Sequence, residues 1–158
     1  MSGTGKDAPD HGPGVLLPPP LLVAGLIAFA WLLRQAVPLP VGGPLPMLAN
    51  LVFLAAFGLI LWAILAMTRA GTDPRPDKPD QALVERGPFR FSRNPVYLGL
   101  VLLVIGFALR WGDLWGWLAA LASQQLLDRL VIAREEAYLA TRFGAAYNAY
   151  RARVRRWV

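Results

Sequence analysis

The chain has no cysteine and a single histidine, His11. The first absence excludes disulfides, thiolate metal sites and a thiol nucleophile. His11 lies in a polar Gly/Pro/Asp tail, where a solvated side chain is expected rather than a metal ligand or general base. Acidic residues are also scarce, with 10 Asp and Glu against 16 Lys and Arg and a net charge of +6. What the sequence has in excess is apolar surface. Of 158 residues, 56% are hydrophobic, more than one soluble domain of this length can hide, so an integral membrane protein is expected. Its basic excess then points to anionic headgroups and the bilayer, not to nucleic acid.

Four apolar segments follow the tail at residues 1–14. Leu16 to Leu33 and Leu45 to Met67 span 18 and 23 residues, enough to cross a hydrocarbon core of about 30 Å. They form an N-terminal pair of transmembrane helices within residues 15–67. An "AFA" stretch at Ala28 to Ala30 resembles a cleavage site. The tail before it carries one lysine against two aspartates, however, and the apolar run continues through Leu33, so an uncleaved helix is expected. Val96 to Leu109 and Leu114 to Leu127 are 14 residues each, split by Arg110 to Asp113. At about 1.5 Å per residue each is short for a span unless its polar inner end also lies at membrane depth, protected by protein. The expected arrangement is a tight helical hairpin whose inner ends carry the functional groups, with a re-entrant or interfacial pair as the alternative.

Basic residues set the expected orientation. Arg69, Arg75, Lys78, Arg86, Arg90 and Arg93 fill the loop from Thr68 to Arg93, and the C-terminal region adds seven arginines from Arg129 to Arg156. The opposite connections offer only Arg34 and Arg110. Both termini and the long loop are therefore expected on the cytoplasmic side of a bacterial inner membrane, with four crossings. Thr68 to Asp80 is too rich in proline and aspartate for a regular helix. Beyond Arg134, Leu139, Phe143, Tyr147, Tyr150, Val154 and Trp157 fall at helical spacing among arginines, which predicts one amphipathic cytoplasmic helix. The fold class expected is thus all-α and membrane-embedded.

Folding the hairpin brings the start of its first arm towards the end of its second. Asn94 and Glu135 then differ by about six residues, or about 10 Å along the axes. Arg90, Arg93, Asn94 and Tyr97 stand on one side of that gap, and Asp128, Arg129, Arg134, Glu135 and Glu136 on the other. Pro95 suits a first helical turn, and the free backbone donors there favour an anion. Arg134 or Arg129 can pair with an acceptor carboxylate or a lipid phosphate. Taken singly, the arginines also fit headgroup snorkelling, and the glutamates a solvated helix start or salt bridges to Arg134 and Arg142.

Together, "GPFRFSRNPVYLG" and "REEAYLATRFGAAYNAYRARVRRWV" resemble the membrane methyltransferase family that includes isoprenylcysteine carboxyl methyltransferase and the phospholipid N-methyltransferases. Arg93, Pro95, Tyr97 and Gly99 match that family's Arg-His-Pro-x-Tyr-x-Gly element, Glu135 and Glu136 its paired glutamates, and Phe143, Gly144, Tyr147 and Tyr150 its Phe-Gly-x-x-Tyr-x-x-Tyr helix. "AGTDP" and "LVERGPFRFSRNP" also look like its bacterial members. The resemblance covers residues 68–158, which would form the methyltransferase core. It implies S-adenosylmethionine as cofactor, no metal, and a lipophilic or lipidated acceptor. The cofactor-binding residues it implies are Gln81, Leu83, Val84, Phe89, Arg93, Asn94, Pro95, Tyr97 and Glu135. Glu136, Arg134 and Asp128 are the candidates for a catalytic role, Glu136 being either a second ligand or a structural partner. The chain departs from the family pattern at Asn94, where histidine is usual, and at Asp128, where histidine or an aromatic residue is common.

Methyl transfer from a sulfonium asks the protein mainly to hold donor and acceptor in line and dry. A carboxylate acceptor needs no base, whereas an amine must first lose a proton to Glu135, Glu136 or Asp128. With no histidine in the site, a carboxylate of isoprenylcysteine type, or a small isoprenoid or lipid, is favoured over a phospholipid amine. Two other classes compete. A non-catalytic protein that binds anionic lipid would make Glu135 dispensable, and a nicotinamide-dependent reductase would need a nucleotide site, for which no G-x-G-x-x-G element is present.

Overall fold

A computed structural model of the chain describes residues 17–73 and 81–158. The expected polar tail, His11 and most of the proline-rich loop lie outside the described residues. Among those described the structure is all-helical, with a single isolated β-bridge between Pro40 and Asp113. Helices α1 (Pro19–Ala36), α2 (Pro46–Arg69) and α3 (Pro95–Trp111) each begin on proline. At the first turn the missing N–H costs nothing and the fixed φ is already helical. Helix α4 (Leu114–Leu126) starts instead on Asp113, whose carboxylate accepts from Trp115 N at 3.0 Å.

α1 and α2 are long and apolar enough to cross a membrane; α3 is apolar but shorter. α2 buries only Ala49, Ala56 and Ala63, while Leu51, Leu54, Phe57, Leu61 and Trp62 stay exposed. Such a surface is insoluble in water but normal against lipid. The three alanines recur every seven residues, and α3 carries Gly99 and Gly106 at the same spacing, with Gly99 close to the Ala56 carbonyl. A Cβ on Gly99 would run into Ile60, and one on Gly106 would lie 2.5 Å from Phe53. Small residues let the two backbones approach, which replaces the missing hydrophobic drive between helices in lipid. α3 is central: it packs against α2, α4 and α1, and α1 lies mainly on α4.

The hairpin turn falls where the sequence places it. Gly112 caps α3 at φ +60°, its N–H bonded to Ala108 O at 2.9 Å, a left-handed conformation that glycine adopts without strain. The α1–α2 connection clasps this turn: Leu39 N donates to Asp113 Oδ2 at 2.8 Å, and Leu114 N to Leu39 O at 2.8 Å.

Two features differ from expectation. α4 does not stop after the hairpin; it continues through a π-helical turn (Leu127–Ile132) directly into α5 (Ala133–Phe143). The unbroken helix from Leu114 to Phe143 is about 45 Å long at about 1.5 Å per residue. The single amphipathic helix expected beyond Arg134 is also divided. Gly144, at φ +52° and ψ −121°, separates α5 from α6 (Ala145–Arg153), and from Val154 the backbone is extended. The aromatic stripe survives because Tyr147 and Tyr150 still face inward, but the last residues leave the helix and run back across the start of α3.

Candidate functional site

The π turn aligns the acidic residues. Asp128 and Glu136 are eight residues apart, which on a regular α-helix would set them well off one face. A π turn takes about one extra residue, so the separation closes to about two turns and both carboxylates face the same way. Arg156, carried back by the extended C-terminal segment, bridges them. Its Nη1 lies 3.1 Å from both Asp128 oxygens, and its Nε lies 3.1 Å from Glu136 Oε1, with Nη2 on Oε2. The hydrogen bond to Glu136, together with both negative charges, raises the Arg156 pKa further above its ordinary value, against an opposing effect of burial.

Glu136 is 8% exposed and takes a second guanidinium, Arg93 Nη2, at 3.1 Å. Arg93 Nη1 donates to Tyr147 Oη at 3.3 Å, whereas its Nε is buried without an acceptor among the described residues. Burial raises the Tyr147 pKa, and the charge of Glu136 adds to the effect, opposed by Arg93. Two guanidiniums on one buried carboxylate leave Glu136 neutralised as a charge but committed as an acceptor.

At the start of α3 the C-terminal segment is stitched down by main-chain groups. Arg93 N donates to Arg155 O at 3.0 Å, while Ser92 Oγ and Asn94 Nδ2 donate to Arg156 O at 3.2 and 3.0 Å. Asn94 therefore uses its amide as a donor, a role that needs no titratable side chain. One turn further on, Tyr97 donates from its hydroxyl to Glu135 Oε1, joining α3 to α5. The axial gap expected between the two arms is thus crossed by side chains.

The remaining wall comes from the loop after α2. Thr72 is buried and clamps Ala82, accepting from its N–H at 2.9 Å and donating to its carbonyl at 3.0 Å. This fixes Gln81 to Val84 beside the end of α2. A short 3-10 turn (Gly87–Arg90) follows, with Pro88 fully buried and Phe89 O accepting from Tyr150 Oη at 2.7 Å. Burial is again the main reason that the Tyr150 pKa is raised.

Of the residues singled out in the sequence, Arg93, Asn94, Pro95, Tyr97, Glu135, Glu136 and Asp128 converge at the junction of α3, the π turn and α5. Gln81, Leu83, Val84 and Phe89 line up on the loop beside α2. Arg134 points to the exposed face of α5. Arg156, Tyr147, Tyr150 and Ser92 complete the site without having been assigned to it. The two tyrosines sat in the aromatic stripe; Arg156 was one basic residue among many, and only the extended tail reveals its place.

Residues 45–146 match the model of the phospholipid methyltransferase family. The chain belongs to that family. The match spans α2 through the start of α6, so it contains both halves of the polar cluster except Arg156, Tyr147 and Tyr150. An uncharacterized protein from Haemophilus influenzae is 36% identical over 63 residues, which is 40% of this chain and 100% of that protein. No solved structure matches the chain. Family membership makes it a methyltransferase of the membrane type, in keeping with its two apolar helices of spanning length.

Proposed function

We propose that the chain transfers a methyl group from S-adenosylmethionine to a lipophilic acceptor at the cytoplasmic face of the membrane, with a carboxylate of isoprenylcysteine type favoured over a phospholipid amine. The observation that carries the proposal is the Tyr97–Glu135 hydrogen bond, which joins the two motif halves across α3 and α5. The donor set suits the cofactor. Glu135 and Tyr97 offer hydrogen-bonding groups for a ribose diol or an ammonium, the orphaned Arg93 Nε offers a donor for a carboxylate, and Phe89 with Gln81 to Val84 supplies a partly apolar wall for a base. When bound, the cofactor supplies an activated methyl group on a sulfonium.

The protein's own residues position and exclude water. Arg93 and Arg156 hold Glu136 and Asp128 in fixed ion pairs, so their oxygens are already engaged as acceptors. Tyr97 likewise occupies one oxygen of Glu135. Each carboxylate of the cluster is engaged by a donor, and this supports an acceptor that arrives already nucleophilic. Held by Arg93, Tyr97 and Glu135, the cofactor would supply its methyl group to the acceptor oxygen, the electron pair of the broken carbon–sulfur bond staying on sulfur.

The test is label transfer by the detergent-purified protein from methyl-labelled S-adenosylmethionine to an isoprenylcysteine analogue, a phosphatidylethanolamine and a total membrane lipid extract. Base-labile label in the isoprenoid acid is the expected result, since a methyl ester hydrolyses. Base-stable label in the phospholipid would reassign the acceptor to an amine. No label in any lipid would contradict the proposal.

A further inference from the structure

A groove of about 550 Å³ lies beside the polar cluster, lined by Glu85, Arg86, Gly87, Arg90, Tyr150 and Arg153. Its charges do not balance. Glu85 is taken by Arg153, 2.8 Å away, and Arg86 and Arg90 carry no ion pair among the described residues. Among the described residues, two guanidiniums therefore line one recess whose carboxylate, Glu85, is already paired. Their backbone is pinned on both sides: Pro88 is fully buried, Tyr150 Oη holds Phe89 O at 2.7 Å, and Gly87 lies so close to α2 that a Cβ there would sit 3.2 Å from Trp62 Nε1. Positions held this firmly favour a ligand, because less freedom is lost on binding.

The level of the groove identifies the ligand class. Trp62 is half exposed on the outer face of α2, about two turns before the helix ends at Arg69. Tryptophan on a spanning helix marks the depth of the headgroups, and Phe91, 65% exposed, follows directly after the turn. Guanidinium pairs at that depth suit the phosphate of an anionic lipid, with which they form short charge-assisted hydrogen bonds. We infer that Arg86 and Arg90 form a phosphate site in this groove, filled by the headgroup of an anionic lipid. The inference does not depend on methyl transfer, since none of the groups at Tyr97 and Glu135 takes part in it.

The experiment is native mass spectrometry of the detergent-purified chain titrated with phosphatidylglycerol, phosphatidylcholine or inorganic phosphate. The chain is expected to retain phosphatidylglycerol in preference to phosphatidylcholine. The Arg86→Gln/Arg90→Gln variant should lose about 10- to 30-fold in that affinity, Arg86→Gln alone should lose part of it, and Arg110→Gln at the other end of α3 should lose none. An unchanged unfolding midpoint in the double variant shows that the fold is kept. Displacement of the lipid by millimolar inorganic phosphate, itself abolished in the double variant, would keep the site but assign it to a soluble phosphate. Equal retention of the two lipids, or wild-type retention by the double variant, would overturn the inference.

Discussion

At the scale of single residues, burial decides which charges matter. Glu136 and Glu85 are both paired with arginine, but the Glu136 and Arg93 side chains are 9% and 10% exposed, whereas Arg153 and Glu85 are 64% and 35% exposed. Removing one member of a buried pair strands the other charges. Glu136→Ala should therefore cost about 3–5 kcal/mol in denaturant unfolding, against at most about 1 kcal/mol for Glu85→Ala. Equal effects would mean that the Glu136 cluster is hydrated. Tyr147 and Tyr150 give a second prediction. Burial holds both pKa values above the ordinary value of 10, so above that pH the folded chain binds more protons than the unfolded one. Their stabilising contribution is complete below about pH 10 and is lost as pH rises through the raised pKa values. Thermal unfolding followed from pH 8 to pH 11 should show a falling midpoint above about pH 10, and Tyr147→Phe should flatten that fall. The paired glutamates and Tyr97 were legible in the sequence because each belongs to a motif with fixed spacing. Arg156 was not, because its partners are 20 and 28 residues away and no periodicity links an extended tail to a helix face.

At the scale of elements, apolar length and proline placement made the helices readable. Pro46 and Pro95 begin α2 and α3, and the Arg110 to Asp113 break became the hairpin turn. The π turn was hidden, since one extra residue in a run such as Leu127 to Ile132 leaves the hydropathy pattern unchanged. The division at Gly144 was hidden too, because Phe143, Tyr147 and Tyr150 keep helical spacing across it. Nothing lies within 4 Å of a Cβ placed on Gly144, yet its φ is +52°. Gly144→Ala should thus destabilise through backbone strain alone, by about 1–3 kcal/mol, as measured by thermal unfolding. An unaffected midpoint would mean that α5 and α6 can straighten into the single helix suggested by the sequence.

At the scale of the whole molecule, the bundle divides its labour by end. One end, where the α1–α2 connection clasps the hairpin turn, is held by Asp113 and Gly112 and serves stability. The other gathers the polar cluster, the groove and, among the described residues, nearly all the basic ones. The lack of cysteine makes the membrane arrangement directly measurable, because any introduced cysteine is unique. With four crossings, Ala152→Cys should react with a membrane-impermeant maleimide only from the cytoplasmic side and Gln35→Cys only from the opposite side. Labelling of both from one side would contradict that topology. Sequence charge predicted this division, but not that α2 meets α3 through Ala56 and Gly99, since small residues carry no signal in hydropathy. We propose a cofactor site closed by Tyr97 and Glu135, and calorimetric binding of S-adenosylhomocysteine to the purified protein, beside Glu135→Ala, decides whether it exists. Binding in the micromolar range that disappears in the variant is the predicted result. A folded protein that binds no S-adenosylhomocysteine, or a variant that binds it as well as the parent, would contradict the account.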